Sequence, residues 1–156
     1  MRLELLPTEP AHAEALATAL ADRALNEHIG GEPSTAEQWR SRLGQWADRR
    51  SPDGGQAWLN WVVVERAGGA VVGWLQATVV GSSADVAYVV GTPWQGRAYA
   101  TEAARALLDH LGATGVTEVS LLVAPANAPS AAVARHLGLS PDGTEVDGEL
   151  RWSRCT

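Results

Sequence analysis

Apolar and polar residues alternate from Arg2 to Leu6, the period-two pattern of a short strand. Pro10 to Asn26 is rich in alanine and leucine, with Ala13, Leu16, Leu20 and Ala24 near helical spacing. The segment Ile29–Pro33, with two glycines and a proline, breaks that pattern. Ser34 then opens a second predicted helix, with Glu37 three residues on as a capping box. Trp39, Leu43 and Trp46 fall at i, i+4 and i+7, so one face of this helix packs inward. After a loop at Ser51–Gly55, Trp58–Glu65, Val71–Val80 and Asp85–Val90 read as three strands. Ala67-Gly68-Gly69 and Gly81-Ser82-Ser83 are the turns between them. Trp61 and Trp74 sit on neighbouring strands and are expected to pack together or to wall a cleft.

Gly91 to Gln95 interrupts the pattern, and a helix is predicted from about Gly96 to Leu111. Its stripe is Ala100, Ala103, Ala104, Leu107, Leu108 and Leu111. Glu118–Ala124 is a compact apolar strand, and Pro129–Leu137 a short helix ended by Gly138. Thr144–Val146 and Glu149–Ser153 form a final hairpin across Asp147-Gly148. The order β-α-α-β-β-β-α-β-α-β-β joins a hairpin meander to a βαβ crossover. It predicts an α/β (α+β) fold with a mixed, mostly antiparallel sheet of about six or seven strands and helices packed on it.

Length and composition narrow the function classes. A chain of 156 residues without repeats or linkers is expected to form a single domain, 1–156. No apolar run approaches the roughly 20 residues that span a bilayer, and no apolar h-region follows the N-terminus, so neither a membrane segment nor a signal peptide is expected. The net charge is −6 with no basic cluster, which argues against a nucleic-acid surface and an anionic membrane. All the basic residues are arginine, so an anionic ligand must be met by local donors rather than bulk charge. The lone cysteine, Cys155, forms no internal disulfide, which makes a reducing cytoplasm the expected compartment.

The candidate chemistry lies in Val89–Thr101: a strand, a tight connection and a helix start. Small residues there allow close approach of backbone to a ligand. The first turn of a helix leaves amides unpaired, and with the helix dipole these make an anion site that suits a pyrophosphate. Arg97 is placed to add a charge-assisted contact. No Gly-Lys-Ser/Thr follows, which excludes a P-loop, and the three-glycine spacing of a dinucleotide fingerprint is missing.

Gln95-Gly96-Arg97-Ala98-Tyr99-Ala100 resembles the Gln/Arg-x-x-Gly-x-Gly/Ala signature of the GCN5-related N-acetyltransferases, or GNAT superfamily. Its extension Tyr99-Ala100-Thr101-Glu102-Ala103 is similar to the branch containing ribosomal-protein N-terminal acetyltransferases. Asn127-Ala128-Pro129-Ser130, followed by Val133–Leu139, resembles a second element of the same branch. The family's central glycine is Ala98 here, a methyl group close to where phosphates are expected.

The resemblance implies an N-acetyltransferase that moves an acetyl group from acetyl-coenzyme A to a primary amine, by direct attack in a ternary complex and without a metal. It places Gln95, Gly96, Arg97, Ala98, Tyr99, Ala100 and Thr101 at the cofactor phosphates and Asn127 at the pantetheine arm. The backbone N–H of Val89 or Val90 would meet the thioester carbonyl, and Ser130 would lie near the sulfur. Asp85 is the candidate base; alternation sets Asp85, Ala87 and Val89 on one strand face and Val86, Tyr88 and Val90 on the other. His28, between the first two helices, is a lesser candidate base. Tyr99 is expected to pack between helix and sheet or to cover the cofactor, and Trp39 and Trp46 to be core. The acceptor is a small-molecule amine or a protein N-terminus, and the resemblance leaves a homodimer open. Two alternatives stand beside this reading: a non-catalytic acyl-coenzyme A sensor module, and an acyltransferase using another donor.

Overall fold

A computed structural model describes residues 2–22 and 32–155. Its elements are β1 (Leu3–Pro7), α1 (Ala13–Ala19), α2 (Ala36–Gln45), β2 (Ala57–Glu65), β3 (Val71–Val80), β4 (Ser83–Val90), α3 (Tyr99–Ala113), β5 (Glu118–Val123), α4 (Ala128–His136), β6 (Ser140–Val146) and β7 (Glu149–Cys155). The seven strands form one sheet in the order β1-β2-β3-β4-β5-β7-β6. Every adjacent pair is antiparallel except β4 and β5, the two strands that the α3 crossover joins. The predicted element order and sheet class are those observed.

Each sheet face has its own apolar layer. On one, α3 lays Ala103, Leu107 and Leu111 against Leu75, Val86 and Val90. On the other, α1 and α2 lay Leu16, Trp39 and Leu43 against Val62. A fully buried leucine such as Leu107 contributes on the order of 2 kcal/mol by leaving water.

Local chemistry moved several boundaries. The second helix is capped by Thr35 rather than Ser34: the Thr35 hydroxyl accepts the Gln38 N–H at 3.1 Å, and Gln38 Oε1 accepts the Thr35 N–H at 2.8 Å. The box partner is therefore Gln38, not Glu37, and Ser34 Oγ instead accepts a hydrogen bond from Arg42. The first helical segment opens with a 3-10 turn at Pro10–His12, and α1 is continuous to Ala19. His28 and the Gly30-Gly31 break lie outside the described residues.

Trp61 and Trp74 do not meet. In the β2–β3 register Trp61 pairs with Leu75 while Trp74 pairs with Val62, so the two indoles leave opposite faces of the sheet. Trp74 stacks on Trp46 at 5.5 Å and meets Trp39 edge-on at 5.6 Å, whereas Trp61 meets His110 of α3. The final hairpin is longer than expected. Its turn is Asp147-Gly148, both with positive φ (51° and 83°) as a two-residue primed turn requires, but β6 begins at Ser140 across a register shift between Pro141 and Glu145.

The parallel β4–β5 pair positions the site. It is in register only from Ser83–Val86 against Glu118–Leu121. Beyond Val86, β4 stays paired with β3 and β5 stays paired with β7, so the two central strands part between them. The turn into α3 follows the end of β4, and the start of α4 follows the end of β5, so both lie at the open end of this split.

Candidate functional site: a split sheet below a helix N-terminus

Gly91 leaves β4 through a tight corner. A Cβ there would collide with the Ala19 carbonyl oxygen and the Trp94 ring, so only glycine fits. Thr92–Trp94 makes one 3-10 turn, after which Gly96 (φ +80°) and Ala98 (φ +62°) take left-handed conformations. Two such residues cannot belong to a right-handed helix, which is why α3 begins at Tyr99 and not at Gly96. Gln95 braces the corner by donating Nε2–H to the Val90 carbonyl at 3.0 Å.

Among the described residues, the amides of Gly96, Arg97, Ala98, Tyr99, Ala100 and Thr101 have no acceptor within the protein. The first internal bond of this helix start is Glu102 N–H to Ala98 O. Six consecutive free donors, at an exposed turn that feeds the positive end of a 15-residue helix, form an anion cradle.

Arg97 and Tyr99 turn away from the cradle. Arg97 Nη1 lies 3.8 Å from Glu65, and the Tyr99 hydroxyl donates to Glu65 Oε2 at 2.5 Å. That bond to a carboxylate is the main reason the Tyr99 phenol is held above its ordinary range. Glu102 accepts the N–H groups of Arg2 and Leu3 and the Arg2 Nε–H at 2.9–3.1 Å, while the Arg2 guanidinium donates to the Arg97 carbonyl and lies over the Tyr99 ring. Strand β1 is thereby tied to the first turn of α3.

A cleft of about 480 Å³ lies at the split; Gln76, Thr78, Asp85, Tyr88, Asn127 and Ser130 are among its lining residues. Gly91 N–H donates to Val72 of β3. Backbone direction alternates along a strand, so the Val89 N–H faces β3, while those of Tyr88 and Val90 face the open edge. Of the two candidate thioester donors, Val90 is the one on the split; the Val89 side chain packs beneath α1 and α2.

Asp85 is exposed in the cleft, and its carboxylate accepts a hydrogen bond from the buried Ser120 hydroxyl. Asn127 caps α4, its Oδ1 accepting the Ser130 N–H at 3.2 Å. Its amide nitrogen remains as a donor at the cleft wall. The Ser130 hydroxyl is 2.7 Å from the Tyr88 hydroxyl. Burial raises the Tyr88 phenol above its ordinary pKa, partly offset by that bond, so Tyr88 stays protonated at neutral pH.

Tyr88 is the site residue that sequence reasoning missed. Alternation set it on one strand face with Val86 and Val90, and nothing in the local sequence shows that α4 brings a hydroxyl opposite it. Among the described residues no group of three or more His, Cys, Asp or Glu gathers as a metal site, and no helix is long and apolar enough to cross a membrane. Cys155 is exposed.

Residues 2–140 match the family model of the acetyltransferase (GNAT) domain. No curated protein sequence matches the chain. Among solved structures, RimJ of Mycobacterium smegmatis, in complex with coenzyme A-disulfide, is 24% identical over 99% of this chain and 82% of its own, with a TM-score of 0.81. The ribosomal-protein-S5-alanine acetyltransferase of Vibrio fischeri is 18% identical over 99% and 93%, with a TM-score of 0.76. The microcin C7 self-immunity acetyltransferase MccE, in complex with acetyl-coenzyme A and AMP, is 17% identical over 99% and 93%, with a TM-score of 0.80. With a family match over most of its length, and a sheet split beside a helix N-terminus lined with free amides, the chain belongs to the GNAT acetyltransferase family.

Proposed function

We propose that this protein transfers an acetyl group from acetyl-coenzyme A to a primary amine in a ternary complex. The observation that carries the reading is the row of free amides from Gly96 to Thr101 at the open end of the β4–β5 split. Those amides would hold the pyrophosphate, and the Asn127 amide group would meet the pantetheine arm in the split. The cofactor, when bound, supplies an activated acetyl thioester.

The remaining chemistry belongs to the chain. The Val90 N–H points at the open edge, where it would stabilise negative charge developing on the thioester oxygen. Asp85, on the opposite face of β4, would accept the proton that the ammonium acceptor must lose, directly or through water. The Ser130 hydroxyl would donate a hydrogen bond to the departing sulfur. Arg97, 3.8 Å from Glu65, would add a charge-assisted contact to a phosphate.

The structural likeness to ribosomal-protein acetyltransferases supports a protein N-terminus among the acceptors, and small amines remain candidates beside it. The lone, exposed Cys155 agrees with a reducing cytoplasm.

Isothermal titration with acetyl-coenzyme A tests the binding half: we expect one-to-one binding, and no heat at millimolar cofactor would contradict it. Thiol release with N-terminal peptides, polyamines and aminoglycosides tests the chemistry. Binding without thiol release from any of them would favour an acyl-coenzyme A sensor. Competition between acetyl, succinyl and malonyl thioesters, read by mass spectrometry, assigns the donor.

A further inference from the structure

The pair formed by Tyr88 and Ser130 goes beyond what either motif implies. The two residues come from different elements, 42 positions apart, and their hydroxyls meet at 2.7 Å on the cleft wall. The Ser130 backbone is already held, because its N–H is taken by Asn127 Oδ1. Its side chain is not: a serine on the first turn of a helix can rotate among staggered positions, and its hydroxyl hydrogen turns freely. Tyr88 supplies the missing constraint.

We infer that Tyr88 is a positioning residue: its phenol donates to Ser130 Oγ, which fixes that oxygen and turns the serine's own hydrogen outward, to the sulfur of the bound thiol or thioester. This deepens the proposed function and rests on the assignment of Ser130 to the sulfur.

Across 2.7 Å either hydroxyl can donate, and the inferred direction is from the phenol. The phenol is part-buried, and burial disfavours its ionised form, so across neutral pH it has a hydrogen to give. If it donates, Ser130 Oγ acts as acceptor on one side and keeps its own hydrogen for the other. A hydroxyl that accepts one hydrogen bond is also a stronger donor in the next. The alternative direction would spend the serine's hydrogen on the phenol and leave none for the sulfur. The other ionisable groups lining the cleft are Asp85, Glu149 and Arg151. Asp85 leaves the opposite face of β4 and is held by Ser120, and Arg151 is paired with Glu118 and Asp142.

The test reads the thiol itself and needs no acceptor. Coenzyme A is bound to the full chain, and ionisation of its thiol is followed by thiolate absorbance as pH rises. A hydrogen bond donated to sulfur stabilises the thiolate, so the bound thiol should ionise at lower pH in the wild type than in Ser130→Ala. Tyr88→Phe keeps the ring and removes one oxygen; it should raise the midpoint in the same direction, by up to about one pH unit, the equivalent of one oriented hydrogen bond. In the Ser130→Ala background it should have no further effect.

A midpoint unchanged by Tyr88→Phe, with Ser130→Ala effective, overturns the inference and leaves Ser130 assigned. A midpoint unchanged by Ser130→Ala removes both. Additive shifts in the double variant also overturn it, because they would mean that the two hydroxyls act separately. A purely structural role for Tyr88 would lower the melting temperature of Tyr88→Phe without moving the midpoint, and that outcome too counts against it.

Discussion

At the residue scale, the most informative position is Ala98. It stands where the family signature has glycine, and it takes the left-handed conformation that glycine would adopt without strain. For an L-residue this costs about 1–2 kcal/mol, part of which alanine recovers by restricting the unfolded chain. Ala98→Gly is therefore expected to stabilise the fold, by up to about 1 kcal/mol in urea melts; a loss of stability would show that the methyl group packs favourably. If the methyl also crowds the phosphates, the same change tightens acetyl-coenzyme A binding, and equal or weaker affinity would remove that idea. Ser130→Ala is expected to lower kcat more than it raises the cofactor KM; the reverse pattern would return Ser130 to a binding role. Tyr88 also makes a prediction about pH. Its folded-state pKa lies above the unfolded value, so its contribution to stability is complete below about pH 10 and is lost as pH rises through the folded pKa. Tyr88→Phe should flatten that alkaline decline in denaturant melts, and an unchanged slope would mean the phenol is not perturbed. Gln95, Ala98, Asn127 and Ser130 were legible as candidates because motifs carry them. Tyr88 was not, because its partner lies 42 residues away and no local pattern encodes a contact between strand and helix.

At the scale of the elements, periodicity located every strand and helix core, and side-chain chemistry decided where they end. The capping box moved by one residue because threonine and glutamine formed it in place of serine and glutamate. The start of α3 moved by three because Gly96 and Ala98 unwind the turn ahead of it. Neither shift leaves a mark in the hydrophobic pattern. The placement of the two tryptophans failed for a related reason: adjacent strands alone do not reveal register, and an offset of one residue sends a side chain to the other face. The tie between β1 and α3 adds a prediction. Glu102 accepts two backbone N–H groups and a guanidinium N–H, so Glu102→Ala should destabilise the protein by about 2 kcal/mol. A loss below about 0.5 kcal/mol, the level of an ordinary surface change, would mean that the tie is incidental.

For the whole molecule, the split between β4 and β5 joins fold to function. Two parallel strands separate after four paired residues, each remains bonded to an antiparallel neighbour, and the gap opens at the end of β4 that leads into α3. The element order implied a mixed sheet with this crossover, but the length of the shared register is a tertiary property and was not readable. Half-buried groups from β3 and β7 and exposed ones from β4 and β5 line the cleft without a recognisable motif. The central claim is that the free amides of Gly96–Thr101 bind the cofactor phosphates. Amide hydrogen exchange, resolved by residue with and without acetyl-coenzyme A, tests it most directly. The account predicts slowed exchange at Gly96–Thr101 and at Val90, and none of comparable size at the far edge of the sheet in β1. Exchange at Gly96–Thr101 that is unchanged at saturating acetyl-coenzyme A would contradict it.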